Sequence, residues 1–350
     1  MRRPRVLIAA LMLAIACGGE VAPAPDASAP RCGAPANDPG GAVLPRGDTI
    51  AFAIRRIYLG DTDRNGVPNQ AAWRAFGYDI DGLTTTRETS GSCVLASGAA
   101  RSSGYDGECG TDNSFGSNIV PILLTTFGQD YSAKLDASIA AGGLTDILVV
   151  DARAISAGGV APAALLNGAA LGHAPAWDGT DEWPIDSTSF DAGDALVTFA
   201  RAYVIDGTWV GAPRSGAGAI TLGTFHGYPF RLPVGRLLVT MRIAPDGKTA
   251  TGGVISGVVR VEPFIRQLEI WQGVISSSLC DRRCVDVCYS PREASDILAD
   301  GTVDPTRPCD AISIGIGFEA SAVKLGPTLD VAPVPDLCAV DGGSDAQSDR

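Results

Sequence analysis

Ala311-Ile312-Ser313-Ile314-Gly315-Ile316-Gly317-Phe318-Glu319-Ala320-Ser321-Ala322-Val323 alternates without a break. Ile312, Ile314, Ile316 and Phe318 fall on one face, and Ser313, Gly315, Gly317 and Glu319 on the other. A period of two belongs to a β-strand, whose successive side chains point to opposite faces. A face of large apolar side chains has to be covered, so this strand predicts a sheet packed over a core.

The surrounding sequence carries the same signal. Asp146 to Ile155 and Ala195 to Ile205 read as strands, and Asp206-Gly207 is a two-residue hairpin turn leading into Thr208-Trp209-Val210. Gly235 to Ile243 and Thr249 to Glu262 flank a second turn, Pro245-Asp246-Gly247. Repeated strands with turn residues between them predict a mainly β, sandwich-like fold, α+β overall. Two helices enter this pattern. Ser117 to Ala141 places Ile119, Ile122, Leu123, Phe127, Leu135 and Ile139 mostly at three- and four-residue steps, with Pro121 in its first turn and Gly142-Gly143 as its stop. A second helix starts at Pro263 with a stripe of Phe264, Leu268, Trp271 and Ile275 that packs on the sheet. Asp48 to Leu59 opens the folded unit as a strand or helix, and Gly60 to Gly116 is polar and Gly-rich.

The chain has 350 residues, 45% of them hydrophobic, enough for one large domain or two smaller ones. Its formal charge is −12, and repulsion from phosphate excludes nucleic acid as a natural partner. Arg2, Arg3 and Arg5 precede an apolar run, Val6 to Ile15, then the small Ala16 and Cys17. This is the layout of an export signal, 1–16, and the run is too short to span a bilayer. A cysteine in that position resembles a bacterial lipobox, which implies lipidation at Cys17 and contact with a membrane through the N-terminal lipid. Gly18 follows the cysteine in place of an Asp, which favours the outer membrane. Residues 17–47 are rich in Pro, Ala and Gly and read as a tether, 48–340 as one globular unit (a loop and helix portion, 48–143, and a β-rich portion, 144–330), and 341–350 as a disordered tail.

Nine cysteines less Cys17 leave eight: Cys32, Cys93, Cys109, Cys280, Cys284, Cys288, Cys309 and Cys338. An exported chain meets an oxidising compartment, so these predict structural disulfides rather than zinc. Cys93 with Cys109 is the bridge the spacing suggests first, since both lie in one Gly-rich loop. Cys32 and Cys338 would tie the two ends, although eight cysteines allow 105 pairings.

Asp61-Thr62-Asp63-Arg64-Asn65-Gly66 sets oxygen ligands at alternate positions before a Gly, as in the first half of a calcium loop. The bidentate Glu of an EF-hand is replaced by Ala72, so Asp79 and Asp81 are the candidates to complete the shell. Asx turns are the plainer reading of the same residues. Asp106, Glu108, Asp112 and Asn113 form a similar group around Cys109. Trp177 and Trp183, set among acids, suggest a stacking platform for a glycan, or else a loop anchored by its indoles. The only histidines are His173 and His226, and there is no H-E-x-x-H, G-x-S-x-G, P-loop or G-x-G-x-x-G signature.

Three segments, Phe76-Gly77-Tyr78-Asp79-Ile80-Asp81-Gly82, Asp112-Asn113-Ser114-Phe115-Gly116 and Cys309 to Phe318, stand behind the lipobox-like Cys17 and its tether. Together they resemble uncharacterised secreted lipoproteins of the myxobacterial type. That resemblance implies an envelope location and a single structural unit, and it assigns no activity. The sequence therefore predicts a lipid-anchored envelope protein with a binding or structural role toward a glycan or protein ligand, with calcium as a cofactor. The alternative is a secreted hydrolase of envelope or prey polysaccharide that uses Asp181 or Glu182.

Overall fold

A computed structural model describes residues 35, 37–45, 47–212, 217–275 and 290–338. Its strands are β1 (Thr49–Tyr58), β2 (Thr145–Asp151), β3 (Gly159–Gly168), β4 (Glu182–Asp186), β5 (Phe190–Asp191), β6 (Asp194–Ala195), β7 (Val197–Ile205), β8 (Thr208–Gly211), β9 (Ala217–Phe225), β10 (Tyr228–Ile243), β11 (Thr249–Arg260) and β12 (Ala311–Leu329). The helices are α1 (Val120–Phe127), α2 (Tyr131–Ala140), α3 (Ala152–Ala157) and α4 (Val261–Ile275).

The mainly β reading holds, and the sheet closes on itself. β1 pairs with β2, and the path runs on through β3, β7, β8, β10, β11 and β12 back to β1, every step antiparallel. Closure pairs most of the edges that a sheet of this length would otherwise expose. One cluster fills the interior between facing parts of the sheet: Phe52 and Ile54 from β1, Leu148 and Val150 from β2, Phe199, Val239, Ile255, and the predicted apolar face of β12. Four strands stand outside the ring, two of them, β5 and β6, as a small hairpin of their own. β4 runs parallel to the end of β12, and β9 pairs with the first half of β10, which bends at Arg236 (φ 49°). β9 is tied to the sheet by a buried carboxylate, Asp146, which accepts from the Thr221 N–H and hydroxyl and from Asn167 Nδ2.

Several boundaries differ from the sequence reading, among them the start of α4 at Val261 rather than Pro263 and the end of β12 at Leu329 rather than Val323. The segment 117–141 divides at Gly128 (φ 105°) into α1 and α2, preceded by a π-helical turn at Phe115–Ile119. The strand expected to reach Ile155 stops at Asp151, whose side chain caps α3 by accepting from the Arg153 and Ala154 N–H groups. Residues 37–45, expected in the free tether, lie on the body: Val43 bridges Val160, and Arg201 pairs with Asp38 at 2.7 Å. Among the described residues no helix is long and apolar enough to cross a membrane.

The outer face of β12 shows why it carries glycines. A Cβ on Gly315 would stand 2.2 Å from the Phe76 carbonyl oxygen, and one on Gly317 2.5 Å from the Phe76 ring. The turn at 72–77 can therefore lie directly on the strand. Its fully buried partner is Asn113, whose Nδ2 donates to the carbonyls of Trp73, Phe76 and Gly315 and whose Oδ1 accepts from the Gly116 and Gly315 N–H groups. Gly315→Ala must displace backbone rather than a flexible side chain, so it is expected to lower stability by about 3 kcal/mol, the upper range for overpacking. Urea denaturation checks this, and a loss below about 1 kcal/mol would show that the turn does not rest on the strand.

Candidate functional site

Beyond Tyr58, the last residue of β1 to pair with β12, the edge of β12 has no strand beside it up to the Ile297–Ala311 bridge. Its inward N–H groups are taken by side chains. Asp296 accepts from the Ser313 N–H at 2.8 Å and from its hydroxyl at 2.5 Å, and Asn113 accepts from the Gly315 N–H at 2.9 Å. The Ser313 hydroxyl in turn accepts from the Ser114 N–H at 2.8 Å. The three segments quoted above thus converge here, brought together by the hydrogen-bonding needs of one strand edge.

Next to this edge the chain gathers carboxylates. Asp112 is 2% exposed and accepts from the Ile80 N–H. Asp79 accepts from the Gly82 N–H at 2.7 Å, and Asp81 from the Leu83 N–H at 2.9 Å. One carboxylate oxygen from each of Asp79, Asp81 and Asp112 lies within 4.8 Å of the other two. Asp106, held by the Thr85 N–H, and Asp296 complete the acidic surroundings. Among the described residues, none of these acids forms an ion pair with Arg or Lys.

The electrostatic consequence follows from burial and like charge. Removal from water, and then the neighbouring Asp81, Asp296 and Asp106, push the Asp112 carboxyl far above the ordinary range. Asp106 rises to about 7, by burial first and then by Asp81, Asp296 and Asp79. Asp296 also rises to about 7, chiefly by burial, against the lowering effect of its bonds to Ser313. Burial raises Asp79 as well.

The predicted ligand set is thus divided. Asp79 and Asp81 belong to the cluster, but Asp61, Asp63 and Asn65 do not join it. Asp63 Oδ1 accepts from the Asn65 and Val67 N–H groups, an Asx turn, while Asp61 accepts from the Ser132 hydroxyl at 2.8 Å. Asp112 takes the place the sequence reading gave to the Asp61 loop. Asp112 was visible in the sequence as part of the acidic group around Cys109; Asp296, in a plain Ser-Asp-Ile-Leu context, carried no signal.

The expected Cys93–Cys109 bridge is not formed: Cys93 bonds to Cys309, with Cα atoms 5.2 Å apart, and Cys109 is free and exposed. Backbone pairing decides this. Val94 donates to the Arg307 carbonyl and Cys309 to the Val94 carbonyl, setting Cys93 and Cys309 side by side, whereas Cys109 sits in a left-handed turn (φ 56°). The bridge fastens the 91–95 loop beside the acidic site. Cys338 is disulfide-bonded. Cys17, Cys32, Cys280, Cys284 and Cys288 lie outside the described residues.

The Trp pair is not an open platform. Trp183 is fully buried and donates to the Ala169 carbonyl, and Trp177 stacks on it at 5.4 Å between centroids. Asp181 accepts from the Ala176 and Trp177 N–H groups at 2.9 and 2.8 Å, so it shapes the loop rather than facing solvent. His173 is exposed, with its Nδ1 at 3.1 Å from the adjacent Ala174 carbonyl, and His226 sits in the turn between β9 and β10.

No protein-family model, curated protein or solved structure matches this chain.

The raised acids make a signed prediction for the metal-free protein. An unfolded Asp ionises near pH 4, while Asp106 and Asp296 in the folded state keep their protons to about pH 7. Their stabilising contribution is complete below pH ~4 and is lost as pH rises through about 7. In chelator, the urea midpoint is expected to fall between pH 4.5 and 7.5, and Asp296→Asn to flatten the fall by about 1 M. A variant with the same pH slope as the parent would show that Asp296 does not titrate in this window.

Proposed function

We propose that this chain is a lipid-anchored cell-envelope protein whose β body serves as a binding or structural module, with its outer loops held by a divalent cation at Asp79, Asp81 and Asp112. The observation that carries the cation is the approach of three carboxylate oxygens within 4.8 Å of one another without a basic partner among the described residues. Such a set is unfavourable when ionised and is relieved either by protons or by a hard cation, for which carboxylate oxygens are the natural ligands. Calcium fits best, because it accepts irregular, flexible oxygen shells and completes them with backbone carbonyls and water. The bound ion would fix loop 76–85 against 106–114 and so set the shape of the surface a ligand meets. The envelope location rests on the signal-like segment and Cys17. The hydrolase alternative finds less support, since Asp181 is engaged by two backbone N–H groups.

Calorimetric titration of calcium into the full chain at pH 7.5 is expected to give saturable binding that Asp81→Asn and Asp112→Asn each weaken at least tenfold. Asp63→Asn, in the Asx turn, is expected to bind as the parent does. Ligand linkage requires the melting temperature to rise with calcium, by an amount equivalent to about 2.7 kcal/mol at a hundredfold excess over Kd. Absence of both heat and stabilisation would remove the cation from the reading. The anchor is tested separately. Palmitate labelling of the chain expressed in a lipidating bacterium is expected to be lost in Cys17→Ser, and an unlabelled parent would refute lipidation.

A further inference from the structure

A cavity of about 750 Å³ opens between the loop that carries Asp61 and the beginning of α1. It falls in the size range of small-molecule sites. Its chemistry narrows what it would hold. No Lys, Arg, His or aromatic ring lines it, and its only charged group is Asp61. An anion finds no counter-charge there, and a divalent cation finds a single carboxylate where it wants several. The walls instead carry neutral polar groups: the hydroxyl of Thr62 and the amides of Asn69, Gln70 and Gln129. Of these, Asn69 Oδ1 accepts from the Ala71 N–H and Gln129 Nε2 donates to the Leu124 carbonyl, while the Ser117 hydroxyl is spent on Ser114 and Asn118. Opposite them, Pro68, Val120, Pro121 and Leu124 supply an aliphatic surface.

Two features suit this wall to a ligand that donates hydrogen bonds. Asp61 is held by the Ser132 hydroxyl on Oδ1, which fixes the carboxylate and leaves Oδ2 with no partner among the described residues. The π-helical turn supplies the second. The Val120 N–H reaches back to the Phe115 carbonyl, and Pro121 has no N–H. The Gly116 carbonyl, on the cavity wall, therefore loses the two donors that a regular or a widened helix would give it. A carboxylate oxygen and a carbonyl oxygen are then both available to ligand O–H groups, in a site whose remaining polar groups are amides and hydroxyls.

We propose that this cavity binds a neutral saccharide unit. Ring hydroxyls donate to Asp61 Oδ2, the Gly116 carbonyl and Gln129 Oε1 and accept from Asn69 Nδ2, while the C–H face of the ring rests on Pro121 and Leu124. This site is distinct from the acidic cluster and does not depend on a cation there, so its test is run in chelator.

The probes are methyl α-glucopyranoside, methyl α-galactopyranoside, methyl α-mannopyranoside and N-acetylglucosamine, each offered to the full chain in saturation-transfer NMR, with Kd taken from titration. At least one is expected to bind. Asp61→Asn, which keeps an acceptor for Ser132, is expected to weaken that binding at least tenfold, and Gln129→Leu, at an exposed position, at least threefold. Asp178→Asn, an exposed acid elsewhere, should leave it unchanged. Should Asp61→Asn lower the melting temperature, Gln129→Leu carries the test. Transfer to none of the four sugars, or binding indifferent to both cavity variants, overturns the proposal; the latter would place the saccharide elsewhere, such as the Trp177 loop.

Discussion

The structure depends on how β12 satisfies its edge where β1 leaves it. A buried backbone N–H without a partner costs about 1–3 kcal/mol, so such an edge cannot be left open. This fold closes it with two side chains and one carbonyl: Asp296 for Ser313, Asn113 for Gly315, and the Ile297 backbone for Ala311. Asn113 does most. Its amide both gives to and takes from Gly315, as a neighbouring strand would, and its remaining contacts hold the 73–76 turn and the start of the π-helical turn. An Asp could not donate at Nδ2 and a Leu could do neither, so the position demands an amide.

From that constraint the site follows. Holding Asn113 on the strand fixes Asp112 beside it. Glycines at 315 and 317 let the Phe76 turn sit close, which brings Asp79 and Asp81 to Asp112. Asp296 enters from another segment because Ser313 needs its carboxylate. The Cys93–Cys309 bridge, joining residues 216 positions apart, keeps the flanking loop from peeling away. The acids are thus assembled by backbone requirements rather than by attraction for one another, and like charges accumulate in a place with little water.

Much of this could be read from the residues, in proportion to how local the physics is. The alternation in 311–323 correctly gave β12 and its buried face, and the two hairpin turns gave β7–β8 and β10–β11. β3 is not legible in sequence because Gly159–Gly168 carries a Pro and places buried residues on both faces, the adjacent Leu165 and Leu166 among them, which leaves no alternation to see. β4 reads in sequence as an acidic, Trp-bearing loop, since only its pairing with β12 and β3 makes it a strand. The break at Gly128 lies inside a continuous apolar stripe, and periodicity cannot report a single left-handed residue. The disulfide was misassigned for a similar reason. Proximity in sequence favoured Cys109, but the pairing was decided by a backbone bridge between Val94 and Pro308, which only the fold creates. Asp79 and Asp81 were legible because acids before Gly announce themselves, whereas their partnership with Asp112 is long-range.

The remaining issue is whether the acidic cluster is a by-product of turn chemistry or a site. The hydrogen bonds separate the two. Asp79, Asp81 and Asp112 each accept backbone N–H groups, a task that an Asn side chain oxygen performs as well. Asn in their place would keep those turns without mutual repulsion and without removing charge from water. Turn formation alone therefore gives no reason for three acids where amides would be more stable, and the repulsion weighs against them at every pH where they ionise. A cation reverses the balance: only carboxylates bind it strongly, and the destabilising charge becomes the source of affinity. On this argument the excess charge, rather than the geometry of any one loop, is what supports the proposal of a cation at 79, 81 and 112.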